Sequence, residues 1–74
     1  MTYFELIAAM NAKAPVIVRI HSPSYSTVIV GKVVGVAQRI DDSGKPLEQA
    51  EIKERGTNSI TIASFDAVEP LYEA

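Results

Sequence analysis

The stretch from Thr27 to Ile40, TVIVGKVVGVAQRI, constrains the fold more than any other part of the chain. Its β-branched residues suit a pleated, half-buried surface and are stiff in helices. Gly31 and Gly35 stand where a strand can bend or bulge sharply. One long bent strand is the signature of a small barrel, and the rest of the chain is read around it. With 74 residues, 47% of them apolar, the chain is expected to form a single domain over residues 1–74 with a small core. A domain of this size buries only about 60% of the surface its extended chain exposes.

Residues 1–14 form the N-terminal unit. Thr2 and Glu5 have capping-box spacing, so TYFELIAAMNAK reads as a helix with Thr2 at its start. Tyr3, Ile7 and Met10 recur at helical intervals, with Phe4 and Leu6 widening the stripe, so this face needs a cover. It either packs on its own domain or docks on a neighbouring subunit, which makes Tyr3, Phe4, Ile7 and Met10 candidate partner contacts. Pro15 forces extended geometry on the residue before it and ends the helix.

The barrel is expected over residues 15–74. In VIVRIH, Val16, Val18 and Ile20 share one face while Ile17, Arg19 and His21 share the other. SPSYS is a loop, and DDSG and RGTN are turns. KPLEQAEIKERG carries helix punctuation, with Pro46 early and Gly56 beyond the end. Ala50 and Ile52 nevertheless alternate with Glu51 and Lys53, so Pro46–Arg55 is read as a strand, with a helix as the alternative. Ile60 and Ile62 continue the inward alternation. SFDA then supplies a tight helical turn, and Val68 and Leu71 return to the core as the last strand crosses to the far edge and closes the barrel. Pro70 fits only an edge position.

The charge balance is −2. It is uneven: residues 1–40 carry four cations and one acid, residues 41–74 three cations and eight acids. An acidic chain has no overall attraction to nucleic acid or anionic lipid. No cysteine is present, which excludes disulfides and thiolate zinc sites and suits the cytoplasm. No apolar run is long enough for a signal sequence or a membrane span. No lysine-serine or lysine-threonine pair follows Gly31 or Gly35 into a helix, so nucleotide hydrolysis is not expected. His21, the single histidine, cannot form a two-imidazole metal site and lacks a neighbouring nucleophile to activate. Asp41-Asp42 precedes a glycine too closely for a calcium loop and reads as a turn. No enzymatic activity and no cofactor are expected. Arg19, His21, Tyr25, Lys32 and Arg39 are the candidate nucleic-acid contacts, the cations for phosphates and Tyr25 for stacking on a base.

The order of helix, bent strands, compact turn and closing strand resembles the Sm-like branch of the SH3-type barrels, a mainly β, five-stranded fold with a short N-terminal α-helix. VIVRIHSPSYSTVIVGKVVGV is similar to the family's first motif and RGTNSITI to its second. That resemblance implies Arg55, Gly56 and Asn58 as nucleotide-pocket residues; read from the residues alone, RGTN is a hairpin turn. GKVVGVAQRID followed by ITIASFDAVEPL also resembles the bacterial YolD-like proteins, an Sm-like group linked to operons of DNA-damage-response polymerases. The expected role is a protein-interaction or assembly module, with a protein partner or a second copy as its ligand. RNA or single-stranded DNA binding is the alternative.

Overall fold

The computed structural model describes residues 1–72. They form α1 (Tyr3–Ala12), β1 (Pro15–His21), β2 (Ser26–Ile40), β3 (Pro46–Glu54), β4 (Ile60–Ala63), a 3-10 turn (Phe65–Ala67) and β5 (Val68–Pro70). The fold is mainly β, and Pro46–Glu54 is a strand rather than the alternative helix.

The capping box opens α1 as the spacing predicts. Glu5 N–H donates to Thr2 Oγ1 at 3.2 Å and Thr2 N–H donates to Glu5 Oε1 at 2.9 Å. The bond from the Thr2 amide, and after it the one from the Thr2 side chain, hold the Glu5 carboxyl below its ordinary pKa. Lys13 ends the helix in the left-handed region at φ 53°, its N–H reaching Ala9 and Met10 carbonyls. The buried stripe is centred on Leu6 and Ala9, one position away from the expected Ile7. Ala9 carries the least bulk on that face and lets α1 lie against β2. Tyr3 and Met10 flank this contact, Ile7 is half-buried, and Phe4 is 81% exposed.

All strands pair antiparallel in one open sheet of order β4-β3-β2-β1-β5. β2 is the shared strand, paired with β1 along its first half and with β3 along its second. Val16, Val18, Val33, Ala50, Ile52 and Val68 point to one face, where Leu6, Ala9 and Phe65 complete the core. Two features depart from a regular ladder in β2. At Gly31 the β3 backbone comes so close that a Cβ would lie 2.2 Å from the Lys53 carbonyl oxygen. Three residues further on, Val34 is the extra residue of a bulge between Val33 and Gly35.

Asp41 organises the β2–β3 turn, accepting from Ser43 N–H at 2.9 Å, Ser43 Oγ at 2.7 Å and Lys45 N–H at 2.9 Å. The Ser43 hydroxyl bond is the main cause, followed by the Lys45 amide, of an Asp41 pKa below the ordinary carboxylate value. Gly44 supplies the positive φ of this turn, 83°.

β4 departs from expectation. Its register against β3 sets Thr61 opposite Ile52 and Ala63 opposite Ala50, so these two face inward and Ile60 and Ile62 face out. Their hydrophobicity suggests the opposite phase. The pairing with β3, whose inward residues are Ala50 and Ile52, overrides it. Phe65 from the 3-10 turn fills the core beside this strand end, and β5 then pairs with β1 at the far edge. Val68 is buried and Leu71 half-buried. Among the described residues, no helix is long and apolar enough to cross a membrane.

Candidate functional site

The sequence-predicted contacts divide into two sets. Lys32, Arg55, Gly56 and Asn58 line one open cleft of about 490 Å³, together with Gly31, Lys53, Thr57 and one acid, Glu54. β2 supplies Gly31 and Lys32 and β3 supplies Lys53 and Glu54, the two lysines paired directly across the ladder. The turn between β3 and β4 supplies the rest. It is held by Arg55 N–H on the Val30 carbonyl at 2.8 Å and Glu54 N–H on the Ser59 carbonyl at 2.9 Å, with Gly56 at φ 84°. Two lysines directly opposite one another repel, at a cost of roughly 0.2–1 kcal/mol. An anion lying in the cleft would offset it.

Arg19, His21, Tyr25 and Arg39 lie outside this cleft. Tyr25 precedes β2 and Arg39 lies near its end, each seven residues from Lys32, so about 20 Å away along the strand. His21 sits opposite Ser26 at the start of the β1–β2 loop. Arg19 Nε is bound to Glu69 Oε2 at 2.7 Å. The five residues are therefore spread along β1, the β1–β2 loop and β2 rather than gathered at one cleft. Lys53 is hidden in the sequence, because the β2–β3 register that brings it to Lys32 is set by the turn and the bulge, whereas Thr57 sits within the RGTN turn beside Gly56 and Asn58.

The two outer strands of the sheet differ in a second feature. Antiparallel partners alternate between pairs that exchange both hydrogen bonds and pairs that exchange none. The bond from Glu54 N–H to the Ser59 carbonyl fixes the phase at β4. Thr61 and Ala63 therefore bond to β3, while the N–H and C=O of Ile60 and Ile62 point away from the sheet. The same two residues present their side chains to solvent, Ile60 at 50% and Ile62 at 61% exposure. On the same face Lys53 stands beside Ile60 and Glu51 beside Ile62.

At β5 the Leu71 N–H bond to the Pro15 carbonyl fixes the phase, and Val68 and Pro70 are the outward residues. Val68 N–H donates to the Phe65 carbonyl, and the Val68 carbonyl accepts from the Met1 nitrogen at 3.0 Å. Pro70 has no N–H to offer. One edge is thus occupied and the other open. An open edge displaying apolar residues is a template for another strand, and neither lysine nor proline within β4 blunts it.

No family model matches the chain, and neither a curated protein nor a solved structure shows significant similarity to it.

Proposed function

We propose that the chain is a non-enzymatic protein-interaction and assembly module on an Sm-like small barrel, and that it recognises an extended partner segment by strand addition at β4. One observation carries this reading: Ile60 and Ile62, 50% and 61% exposed, also hold the outward backbone groups of an edge strand. Main-chain bonds would supply affinity and the isoleucine pair an apolar footprint. The lack of cysteine suits work in the cytoplasm.

Light scattering across a concentration series tests the reading, with Ile62→Pro as the comparison. Proline at 62 removes an outward N–H and leaves the β3–β4 bonds in place. The wild type should gain mass with concentration and the variant should not. A wild type strictly monomeric up to millimolar concentration would retire the assembly reading.

The cleft favours a second reading, RNA or single-stranded DNA binding through Lys32, Lys53 and Arg55, with Thr57 and Asn58 as hydrogen-bonding groups. Three cations on phosphates imply a log–log salt slope of roughly −2 for a single strand. Fluorescence anisotropy with labelled oligonucleotides at two salt concentrations tests it, and the absence of salt-sensitive binding at micromolar protein removes it.

A further inference from the structure

We infer that the strand added at β4 is β4 of a second copy of this chain, joined antiparallel about a two-fold axis through Thr61. The inference rests on the assembly reading above and specifies its partner and register.

The argument begins with what β4 cannot join. Head-to-tail assembly would lay β4 of one copy along β5 of the next and generate a ring or a filament. The β5 edge has little left to pair. Val68 N–H is held by Phe65, its carbonyl by the Met1 nitrogen, and Pro70 lacks a donor. β4 is the edge with a full set of outward groups, so the chain is left to pair like with like. That contact is isologous and closes at two copies.

The register follows from the outward groups and from charge. With the axis at Thr61, Ile60 lies opposite the partner subunit's Ile62, and Ile62 opposite the partner subunit's Ile60. All four residues use their outward N–H and C=O groups, giving four main-chain bonds. Their side chains share one face, and each cross-strand row then reads Lys53, Ile60, the partner's Ile62, the partner's Glu51. Opposite charges flank an apolar centre. An axis at Ile60 would instead place Lys53 at both ends of a row, and an axis at Ile62 would place Glu51 at both. Only the axis at Thr61 pairs all four isoleucines and balances both rows. The product is a continuous ten-stranded sheet.

The absence of native cysteine gives a clean test. Thr61 bonds to β3, so across the axis Thr61 and the partner's Thr61 form a pair without mutual hydrogen bonds, with Cα atoms about 4.5 Å apart. That separation suits a disulfide. Thr61→Cys in the full chain, oxidised with diamide, should convert almost entirely to a disulfide-linked dimer. Light scattering of the wild type should level off at twice the chain mass. Adding Ile62→Pro to the cysteine variant should reduce cross-linking at least tenfold. Ile62→Lys keeps the backbone donor and should reduce it in the same direction; it serves if the proline variant loses its circular-dichroism spectrum.

Assembly beyond two copies, or a dimer lost in Ile62→Pro that oxidised Thr61→Cys fails to link, overturns the two-fold arrangement and leaves the β4 assembly reading standing. A chain that stays monomeric, or a dimer indifferent to both Ile62 variants, overturns both.

Discussion

Gly31→Ala puts the bent-strand argument at risk. A Cβ at this position would lie 2.2 Å from the Lys53 carbonyl oxygen and 2.9 Å from its carbon, where 3.0 Å is the practical floor. β2 and β3 must therefore part by at least the 0.8 Å that separates 2.2 Å from that floor. The neighbouring bond from Arg55 N–H to the Val30 carbonyl, 2.8 Å long, would stretch to about 3.6 Å, beyond hydrogen-bond range. One lost ladder bond costs about 1 kcal/mol. Overpacking against backbone adds roughly 1–3 kcal/mol. The expected loss is therefore about 2–4 kcal/mol, against a total near 4–11 kcal/mol for a chain of this length. Thermal unfolding by circular dichroism should show the midpoint falling by roughly 10–25 °C.

Two other glycines serve as controls. At Gly44 a Cβ meets nothing within 4 Å, but φ is 83°, so alanine there should cost only the backbone strain, about 1–2 kcal/mol. At Gly35 the nearest atom is the Glu51 carboxylate oxygen at 3.0 Å, the end of a flexible side chain that can swing away. Alanine there should stay within about 0.5 kcal/mol of wild type. If Gly31→Ala melts with Gly35→Ala, close backbone approach is not what places glycine in β2.

Leu6→Ala should destabilise by about 2–5 kcal/mol in urea titration, since Leu6 is fully buried where α1 meets the core. Thr2→Ala removes the cap and should cost about 1 kcal/mol, and carbon-detected NMR titration should find the Glu5 pKa risen toward its ordinary value. The pKa values of Glu5 and Asp41 are lowered by folding from ordinary values of 4.5 and 3.8, so the folded state binds protons less readily than the unfolded one. Their stabilisation is complete above those ordinary values and is lost as pH falls toward and through the lowered ones. Urea midpoints should be flat with respect to these two groups from neutrality to about pH 5 and decline below it. Lys53→Glu should leave stability unchanged or raise it by up to about 1 kcal/mol, by ending the repulsion with Lys32. If the cleft binds oligonucleotides, the same variant should weaken that binding and flatten its salt slope by about 0.7.

Much of this fold is written in local patterns. Thr2 and Glu5 announce the helix start because both partners of the capping box lie within one turn. Ala50 and Ile52 announce β3 because their alternation with Glu51 and Lys53 survives the misleading punctuation of Pro46 and Gly56. What escapes the sequence depends on register. Ile60 and Ile62 look like core residues until β3 sets the phase of β4, and a slip of one residue exchanges the two faces. The stop at Lys13 is equally hidden, since a lysine rarely adopts positive φ and Pro15 offers a more obvious cause. In the cleft, Arg55, Gly56 and Asn58 are neighbours along the chain and easily grouped. Lys53 joins Lys32 only through a ladder whose alignment the Val34 bulge shifts.

The ion pair of Arg19 with Glu69 joins groups fifty residues apart in sequence, whereas β1 to β4 form a meander of neighbouring hairpins. Closing so long a loop carries an entropic cost that the hairpins escape, and the β1–β5 ladder runs over only three register pairs, against nine between β2 and β3. Hydrogen exchange should accordingly find the β5 amides opening well before those shared by β2 and β3. While β5 is detached, the β1 edge is bared and each molecule has a growth point at both ends of its sheet. This three-residue strand would then serve as the latch that keeps a finite assembly from becoming a fibre.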